Sequence, residues 1–275
     1  MSAELSFEVF PPKTSDGIGK IYGCLDELAT LNPSFISVTY SAGNAKKGLT
    51  AEVCGTIREK YGIKAVSHLT CAGATPESIA KELDTLKSLK VDTILALRGD
   101  VTPEKELGEY RHATDLIERI NACGGFEVMA ACYPEGHVES GSVYEDLSVM
   151  KAKYDLGVRK FISQLFMDNA DFLHMRDAGK KTCKDAFFCA GIMPVLSAGS
   201  VYRMITLSGA KLTSEMRELL YRYGGDPASM KKAGIDYAIR QIRALCAEGC
   251  DEIHLYTMCR ADVTKEIYNG IKDVL

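Results

Sequence analysis

The sequence predicts a (β/α)8 barrel forming a single domain over residues 1–275, and three observations carry that reading. Short β-rich runs alternate with helical patterns from one end of the chain to the other. Several runs, such as Thr93-Ile94-Leu95-Ala96-Leu97, are nearly unbroken in apolar residues, as parallel strands covered on both faces are. Eight β/α units then fill a chain of the size this fold takes, roughly 250 residues.

Strands are expected over 5–10, 35–40, 65–70, 93–97, 127–133, 160–165, 187–192 and 252–256. Between them the apolar residues recur at helical spacing. Thr75-Pro76-Glu77 supplies an N-cap and a proline at the first helical position, and Ile79, Leu83 and Leu86 then share a face. Ile235, Ile239, Ile242 and Cys246 repeat that spacing before Gly249 stops the helix; Val263, Ile267 and Ile271 do so at the end of the chain. The long stretch between the last two strands has room for an extra helix over 213–221 beside one over 234–248. An open doubly wound sheet is the competitor, but it would carry a glycine-rich nucleotide loop after its first strand. The nearest match, Gly17-Ile18-Gly19-Lys20-Ile21-Tyr22-Gly23, puts its third glycine one residue late and reads as a flexible entry to the first helix.

Composition narrows the function. Apolar residues at 46% and charged residues at 25% describe a globular chain, and a net charge of −4 lacks the basic excess of a nucleic-acid binder. No apolar run approaches the roughly 18 residues of a membrane span. The opening MSAELSFEVF has neither a basic n-region nor a long apolar core, so a cytoplasmic protein is expected. The ten cysteines include no CxxC pair. They read as reduced thiols filling apolar space, and no metal site is expected.

In a barrel, chemistry gathers at the C-terminal ends of the strands, where the βα loops meet. Here those ends carry Glu8, Thr39-Tyr40, His68 and Thr70, Arg98-Gly99-Asp100, Tyr133-Pro134-Glu135-Gly136-His137, Gln164 through Asp168, and Tyr256 with Arg260. Pro11, Pro12, Pro134 and Pro194 end strands at the same rim. Glu8 lies between Phe7 and Val9, so it points away from the face those two cover. An inward carboxyl there reads either as a proton donor or as half of a structural pair with an internal arginine. His68 is equally readable as a satisfied core histidine, Arg98-Gly99-Asp100 as a turn with a surface ion pair, and Gln164 as a partner for backbone groups. Periodicity says enzyme-like barrel and does not name the reaction.

Taken together, these blocks resemble methylenetetrahydrofolate reductase of the bacterial type, limited to its catalytic barrel. The matching stretches are Ser6 to Lys13, Ser37 to Tyr40, His68 to Cys71, Ala96 to Asp100, Tyr133 to His137, Gln164 to Asp168, Gly191 to Val195 and Tyr256 to Arg260, in the family's order. The resemblance implies a barrel that holds FAD without a GxGxxG loop and reduces 5,10-methylenetetrahydrofolate to 5-methyltetrahydrofolate, a step of one-carbon metabolism and methionine biosynthesis. NAD(P)H is the implied hydride source. By position, Glu8 matches the general acid and Asp100 the aspartate near flavin and pterin. Gln164, Tyr256 and Arg260 match folate contacts. Thr39, His68, Arg98, Gly99, Asp100, His112, Ala113, Tyr133, His137, Asp146 and Lys153 match the FAD side. Asp146 and Lys153, seven apart on one helix, share a face.

The chain departs from the family in two places. His112 stands where a tyrosine is common, and Val195-Leu196-Ser197-Ala198-Gly199-Ser200 follows Pro194 where bacterial members place a phenylalanine that closes over the substrate. No regulatory domain follows the barrel, so inhibition by adenosylmethionine is not expected.

A hydride does not come from ordinary side chains, which is why a redox cofactor is required. A carboxyl inside the barrel, kept protonated by desolvation, would supply the proton that opening the substrate's imidazolidine ring needs. A flavin-free lyase or aldolase would want a Schiff-base lysine at a strand end, whereas Lys160 begins its strand. A zinc methyltransferase would want clustered thiolates. A non-catalytic folate- or flavin-binding subunit, and a reductase fed by an iron–sulfur partner protein, stay open, as does assembly into a homo-oligomer.

Overall fold

The structure is a computed structural model; it describes residues 3–12, 17–40, 48–101 and 107–275, with Leu207 described in its backbone alone. Lys13 of the first family-like block lies outside these residues. Eight parallel strands close into a barrel in sequence order: β1 (Glu4–Val9), β2 (Ile36–Val38), β3 (Ala65–Thr70), β4 (Thr93–Leu97), β5 (Glu127–Cys132), β6 (Lys160–Ser163), β7 (Phe187–Ile192) and β8 (Glu252–Tyr256). The helices between and after them are α1 (Ile18–Ala29), α2 (Leu49–Tyr61), α3 (Pro76–Ser88), α4 (Ala113–Cys123), α5 (Val143–Asp155), α6 (Asn169–Thr182), α7 (Ala198–Ser208), α8 (Ser214–Tyr223), α9 (Pro227–Ala247) and α10 (Ala261–Ile271). The expected barrel is therefore the observed one.

By its internal contacts the chain divides into two compact units. The first comprises Ser6–Ala131 and Ala152–Phe161. In it the β1–β2 register sets Glu8 beside Ser37, and the β2–β3 register sets Ser37 beside Val66. Phe7 and Val9 are fully buried on the face opposite Glu8, and Leu25, Leu28, Ile57 and Leu83 are buried helical residues of the same unit. Ser67 and the α2 residue Cys54 are hydrogen-bonded, so Ser67 faces α2 and its neighbour His68 faces the other way. At the N-terminal ends of its strands lies an open cleft of about 510 Å³ lined by Arg58, Lys64, Asp92, Gly125, Phe126 and Glu127.

The second unit comprises Met1–Leu5, Cys132–Lys151 and Ile162–Leu275. Glu4 N donates to Asp251 O at 3.2 Å and Gln164 N to Cys132 O at 2.8 Å, continuing the strand ladder. Between β7 and β8 a buried cluster of Met167, Val195, Val201, Met204, Met216, Met230 and Tyr237 joins α7, α8 and α9. Gly234 is required there: a Cβ on it would run into the carbonyl oxygen of Val195.

Four strands match the expected bounds and the other four differ at their ends, β2 most, since it pairs over three residues only. The helices depart further. Gly19 and Gly23 lie within α1, so the glycine-rich stretch is helix and not a flexible entry. Its buried Ile21, Cys24, Leu25 and Leu28 outweigh the modest helix cost of glycine. The helix α9 starts seven residues ahead of Gly234, with Asp226 as N-cap and Pro227 at its first position. And α7, which no strong spacing announced, is started by Ser197, whose side chain accepts from Ser200 N at 3.2 Å while Ser200 Oγ accepts from Ser197 N.

All ten cysteines are free and seven are buried. Burial pushes the Cys71 and Cys250 thiols up to about 11, so both stay protonated and act as small apolar groups.

Candidate active site

In the first unit the central feature is a pair of buried ionisable side chains. Glu8, on β1, is 6% exposed, and His68, on β3, is likewise 6% exposed. His68 Nε2 lies 3.4 Å from Glu8 Oε2. The direction is poor for a hydrogen bond, and Nε2 has no hydrogen-bond partner among the described residues. His68 is thus one charged or chargeable neighbour of Glu8.

The other first-unit candidates sit at strand ends. Thr39 follows β2; its N donates to Val9 O and its carbonyl accepts from Thr50 Oγ1 at 3.0 Å. Arg98 and Gly99 follow β4 and are half-buried, and Asp100 is exposed, with no partner among the described residues. Gly99 adopts φ +81°, and a Cβ on it would meet Thr70 Cβ at 2.9 Å, so this turn admits glycine alone. His112 is exposed and caps α4, where the Asp115 carboxylate accepts from Arg111 N and His112 N at 2.7 and 2.9 Å; Ala113 opens the helix. Lys153 is buried, and its ammonium donates to Ala131 O at 2.9 Å.

In the second unit, Asp146 uses both carboxylate oxygens to hold the loop after β5: Oδ2 accepts from His137 N at 3.0 Å and Oδ1 from Ser140 Oγ at 2.7 Å. His137 packs edge-on against Tyr133, ring centres 4.7 Å apart. Its Nδ1 accepts from Glu139 N at 3.2 Å, which leaves the proton on Nε2 and presents that nitrogen as a donor. Gln164 Oε1 accepts from Leu165 N at 2.9 Å, so its amide NH2 remains to donate. Tyr256 is buried, and its hydroxyl donates to Ser163 O at 2.6 Å. Arg260 makes two hydrogen bonds to Asp262, at 3.0 and 2.9 Å, which hold the Asp262 carboxyl far below the usual carboxylate range.

Sequence reading passed over several polar residues. Glu252 and His254 are buried on β8, on the same side as Tyr256, and Cys189 Sγ donates to Glu252 Oε2 at 3.4 Å. Their alternation along the strand was the available signal. Glu135 was noted only as part of its block. Its Oε2 accepts from Lys211 N at 2.8 Å, its Oε1 is buried with no hydrogen bond among the described residues, and burial raises its pKa. Among the described residues no group of three or more His, Cys, Asp or Glu side chains is arranged to hold a metal ion, and no helix is long and apolar enough to cross a membrane.

The fold is a (β/α)8 barrel, the class in which enzymes carry their chemistry at the C-terminal ends of the strands. The family model of methylenetetrahydrofolate reductase matches residues 1–272. The 5,10-methylenetetrahydrofolate reductase of Pectobacterium carotovorum is 32% identical over 263 residues, covering 96% of this chain and 88% of that protein. That of Escherichia coli is 30% identical over the same shares. The Arabidopsis thaliana methylenetetrahydrofolate reductase (NADH) 1 is 30% identical, over 92% of this chain and 45% of its own length. Among solved structures, a Clostridium thermocellum protein that binds two copies of 5-methyl-5,6,7,8-tetrahydrofolic acid shares the fold, with a TM-score of 0.65 and 12% identity over 98% of this chain and 96% of that one. The chain belongs to the methylenetetrahydrofolate reductase family.

Proposed function

We propose that the protein reduces 5,10-methylenetetrahydrofolate to 5-methyltetrahydrofolate, using FAD and a nicotinamide donor. The observation that carries this reading is Glu8: a carboxyl 6% exposed on the first strand of a family-matched barrel. When bound, the flavin supplies the hydride that no side chain can. Glu8 supplies the proton. Breaking the bond from the methylene carbon to one ring nitrogen leaves that nitrogen with an electron pair, which takes the carboxyl proton and leaves Glu8 as a carboxylate. The methylene carbon, now electron-poor, receives the hydride and becomes the methyl group. In this reading Glu8 carries its proton until the nitrogen takes it, as a general acid must.

The residues present fit a flavin cofactor by their donor chemistry. On the second unit, His137 presents its Nε2–H beside the Tyr133 ring. On the first, Arg98 adds a cation, and the turn at Gly99 keeps its backbone bare of a side chain. Thr39 and Ala113 complete that set. Asp146 and Lys153 support it from within, since each already holds backbone or hydroxyl groups of its own unit. Gln164, through its amide NH2, and Tyr256 and Arg260 are the proposed folate contacts of the second unit, and Asp100 is the proposed acidic residue of the first. The engagement of Arg260 by Asp262 means a folate carboxylate would have to share that guanidinium.

The test is spectroscopic and chemical. Purified protein should be yellow, should bleach under anaerobic NADH or NADPH, and should recover its colour on adding methylenetetrahydrofolate as methyl product accumulates. Colourless protein with no folate turnover, even with FAD added, overturns the proposal. Yellow protein that neither nucleotide bleaches, yet that turns over folate with a reduced iron–sulfur protein, would replace the donor and keep the rest.

A further inference from the structure

We infer that Asp262 is the positioning residue for Arg260, steadied from its far side by Lys231, and that it leaves one edge of the guanidinium free for a carboxylate of the bound folate. The inference rests on the proposed reductase reading and deepens it, since it assigns the part of the substrate that Arg260 meets. All three residues belong to the second unit. The backbone already sets Arg260 in place. Its N–H donates to Thr257 O at 2.8 Å, and its carbonyl accepts from Thr264 N and Thr264 Oγ1, each at 3.0 Å. The two residues ahead of it, Met258 and Cys259, both take positive φ, at 49° and 54°, a conformation that residues with a Cβ adopt only at a cost in free energy. That turn delivers an arginine to the N-cap position of α10, where it makes no side-chain cap and where the helix dipole disfavours a cation. Neither capping nor the dipole accounts for an arginine there.

The side chain is held as well as the backbone. Arg260 Nε donates to Asp262 Oδ1 at 3.0 Å and Nη2 to Asp262 Oδ2 at 2.9 Å, a two-point pairing that fixes the plane of the guanidinium. Lys231, reaching over from α9, donates to the same Oδ2 at 3.1 Å. A lone exposed pair holds little, but two-point geometry and a third charge are the conditions under which such pairs do hold. The pairing uses one edge of the guanidinium. The other, Nη1 with the remaining hydrogen of Nη2, makes no hydrogen bond among the described residues, and that edge matches a second carboxylate. Asp262 sets one negative charge against two positive ones, so the trio keeps a net positive charge for an anionic ligand. Without Asp262 the long arginine side chain would have to be ordered as the ligand binds, which weakens binding.

The test titrates the protein as purified with 5-methyltetrahydrofolate and with a neutral analogue in which a simple amide replaces the glutamate. Asp262→Asn keeps the side-chain volume and removes the charge. It should weaken the carboxylate ligand by about five- to tenfold, the upper part of the cost of ordering one such side chain on binding, and leave the neutral analogue unchanged. In an Arg260→Met background, Asp262→Asn should cost nothing further, because a residue acting through the guanidinium has nothing left to act on. Equal weakening of both ligands would make Asp262 a structural residue, and tighter binding of the carboxylate ligand would make it a competitor. Either result overturns the inference, as does the same loss recurring in the Arg260→Met background.

A second measurement needs neither folate nor a variant. The Nε–H of Arg260 is bonded to Asp262, so its proton should exchange with water more slowly than that of the exposed Arg203, which has no partner among the described residues. Equal exchange of the two overturns the pairing, including in the case where Asp262→Asn fails to fold. Wild type that binds neither ligand overturns the functional reading and the inference with it. Wild type that binds both, with Asp262→Asn unchanged for each, overturns the inference alone.

Discussion

The two ends of the same strands use charge in opposite ways. Ahead of β3, Lys64 pairs with Glu127 at the start of β5, and ahead of β4, Asp92 lies 3.6 Å from Arg58. Arg58 also donates to Lys90 O. In the other unit, Asp251 ahead of β8 takes Lys180 Nζ at 2.9 Å and Phe188 N at 3.2 Å. These groups are closed on one another. At the C-terminal ends, Glu8 faces a histidine nitrogen with no hydrogen bond, His137 and Gln164 keep donors to spare, and Asp100 stands exposed. Charge at the N-terminal ends is paired within the fold, whereas at the other end Arg260 and Asp262 are paired and Asp100 has no partner among the described residues. That difference is what the proposed function uses to tell structural from functional polarity within single strands, where composition gives no help.

The largest effect should come from the uncommitted end. Glu8→Gln removes the proton donor and keeps the shape, so folate reduction should fall by about 10²- to 10⁴-fold, with flavin reduction by NAD(P)H retained. Stopped-flow measurement of each half-reaction separates them. Equal loss of both would return Glu8 to the structural role.

A packing change tests the wall that carries these groups. Gly191, on β7, donates its N–H to Ser163 Oγ at 2.9 Å. A Cβ there would strike the Ser163 carbonyl oxygen and reach Tyr256 Oη at 2.7 Å. Gly191→Ala should therefore destabilise by about 1–3 kcal/mol, the range for overpacking, read as a lower urea midpoint. An unchanged midpoint would mean that the β6 and β7 backbones can part at Ser163, and Tyr256 shift, at no cost.

Two carboxyls sharpen the comparison through pH. Burial raises the pKa of Glu135, whereas Arg260 lowers that of Asp262. The signs differ accordingly. A raised carboxyl binds its proton more tightly in the folded state, so Glu135 contributes stability at low pH that is lost as pH rises through its folded-state value. The lowered Asp262 contributes stability above the ordinary carboxylate value, lost as pH falls. Glu135→Gln keeps an acceptor for Lys211 N and removes the ionisation. It should raise stability relative to wild type at neutral pH and converge with it near pH 4, where about half of an ordinary carboxyl is protonated. Urea midpoints across pH 4–8 check this, and parallel curves would remove Glu135 as the cause.

Much of the fold was legible because it rests on repetition. Continuous apolar runs such as Thr93 to Leu97 and the capped start at Thr75-Pro76 each name their element locally. The helix α7 was not legible: Ser197 and Ser200 make its capping box, but Val201 and Met204 bury themselves against residues of α8 and α9 far along the chain. The site divided in the same way. Position along a strand and the residue's polarity named Glu8, His68, Gln164 and His137 as candidates. What each does with its lone pairs depended on partners distant in sequence, such as Glu8 for His68 across sixty residues. The commitment of Arg260 to Asp262 lay only two residues away and was still not read, because adjacency does not say that the two side chains turn toward each other.

The smallest effect should come from the closed end, and its smallness is the point. Lys64 and Glu127 are both substantially exposed, at 35% and 52% of their side chains, so water screens the pair. Exposed pairs contribute about 0–1 kcal/mol, and Lys64→Met should cost no more than that in urea unfolding, with both half-reactions unchanged. The pair lies at the N-terminal ends of β3 and β5, where in this fold polar residues serve stability and not chemistry. A large kinetic effect from Lys64→Met would therefore do more than revise one ion pair. It would mean that the cleft lined by Lys64 and Glu127 takes part in function, and that the contrast between the two ends of the strands does not hold.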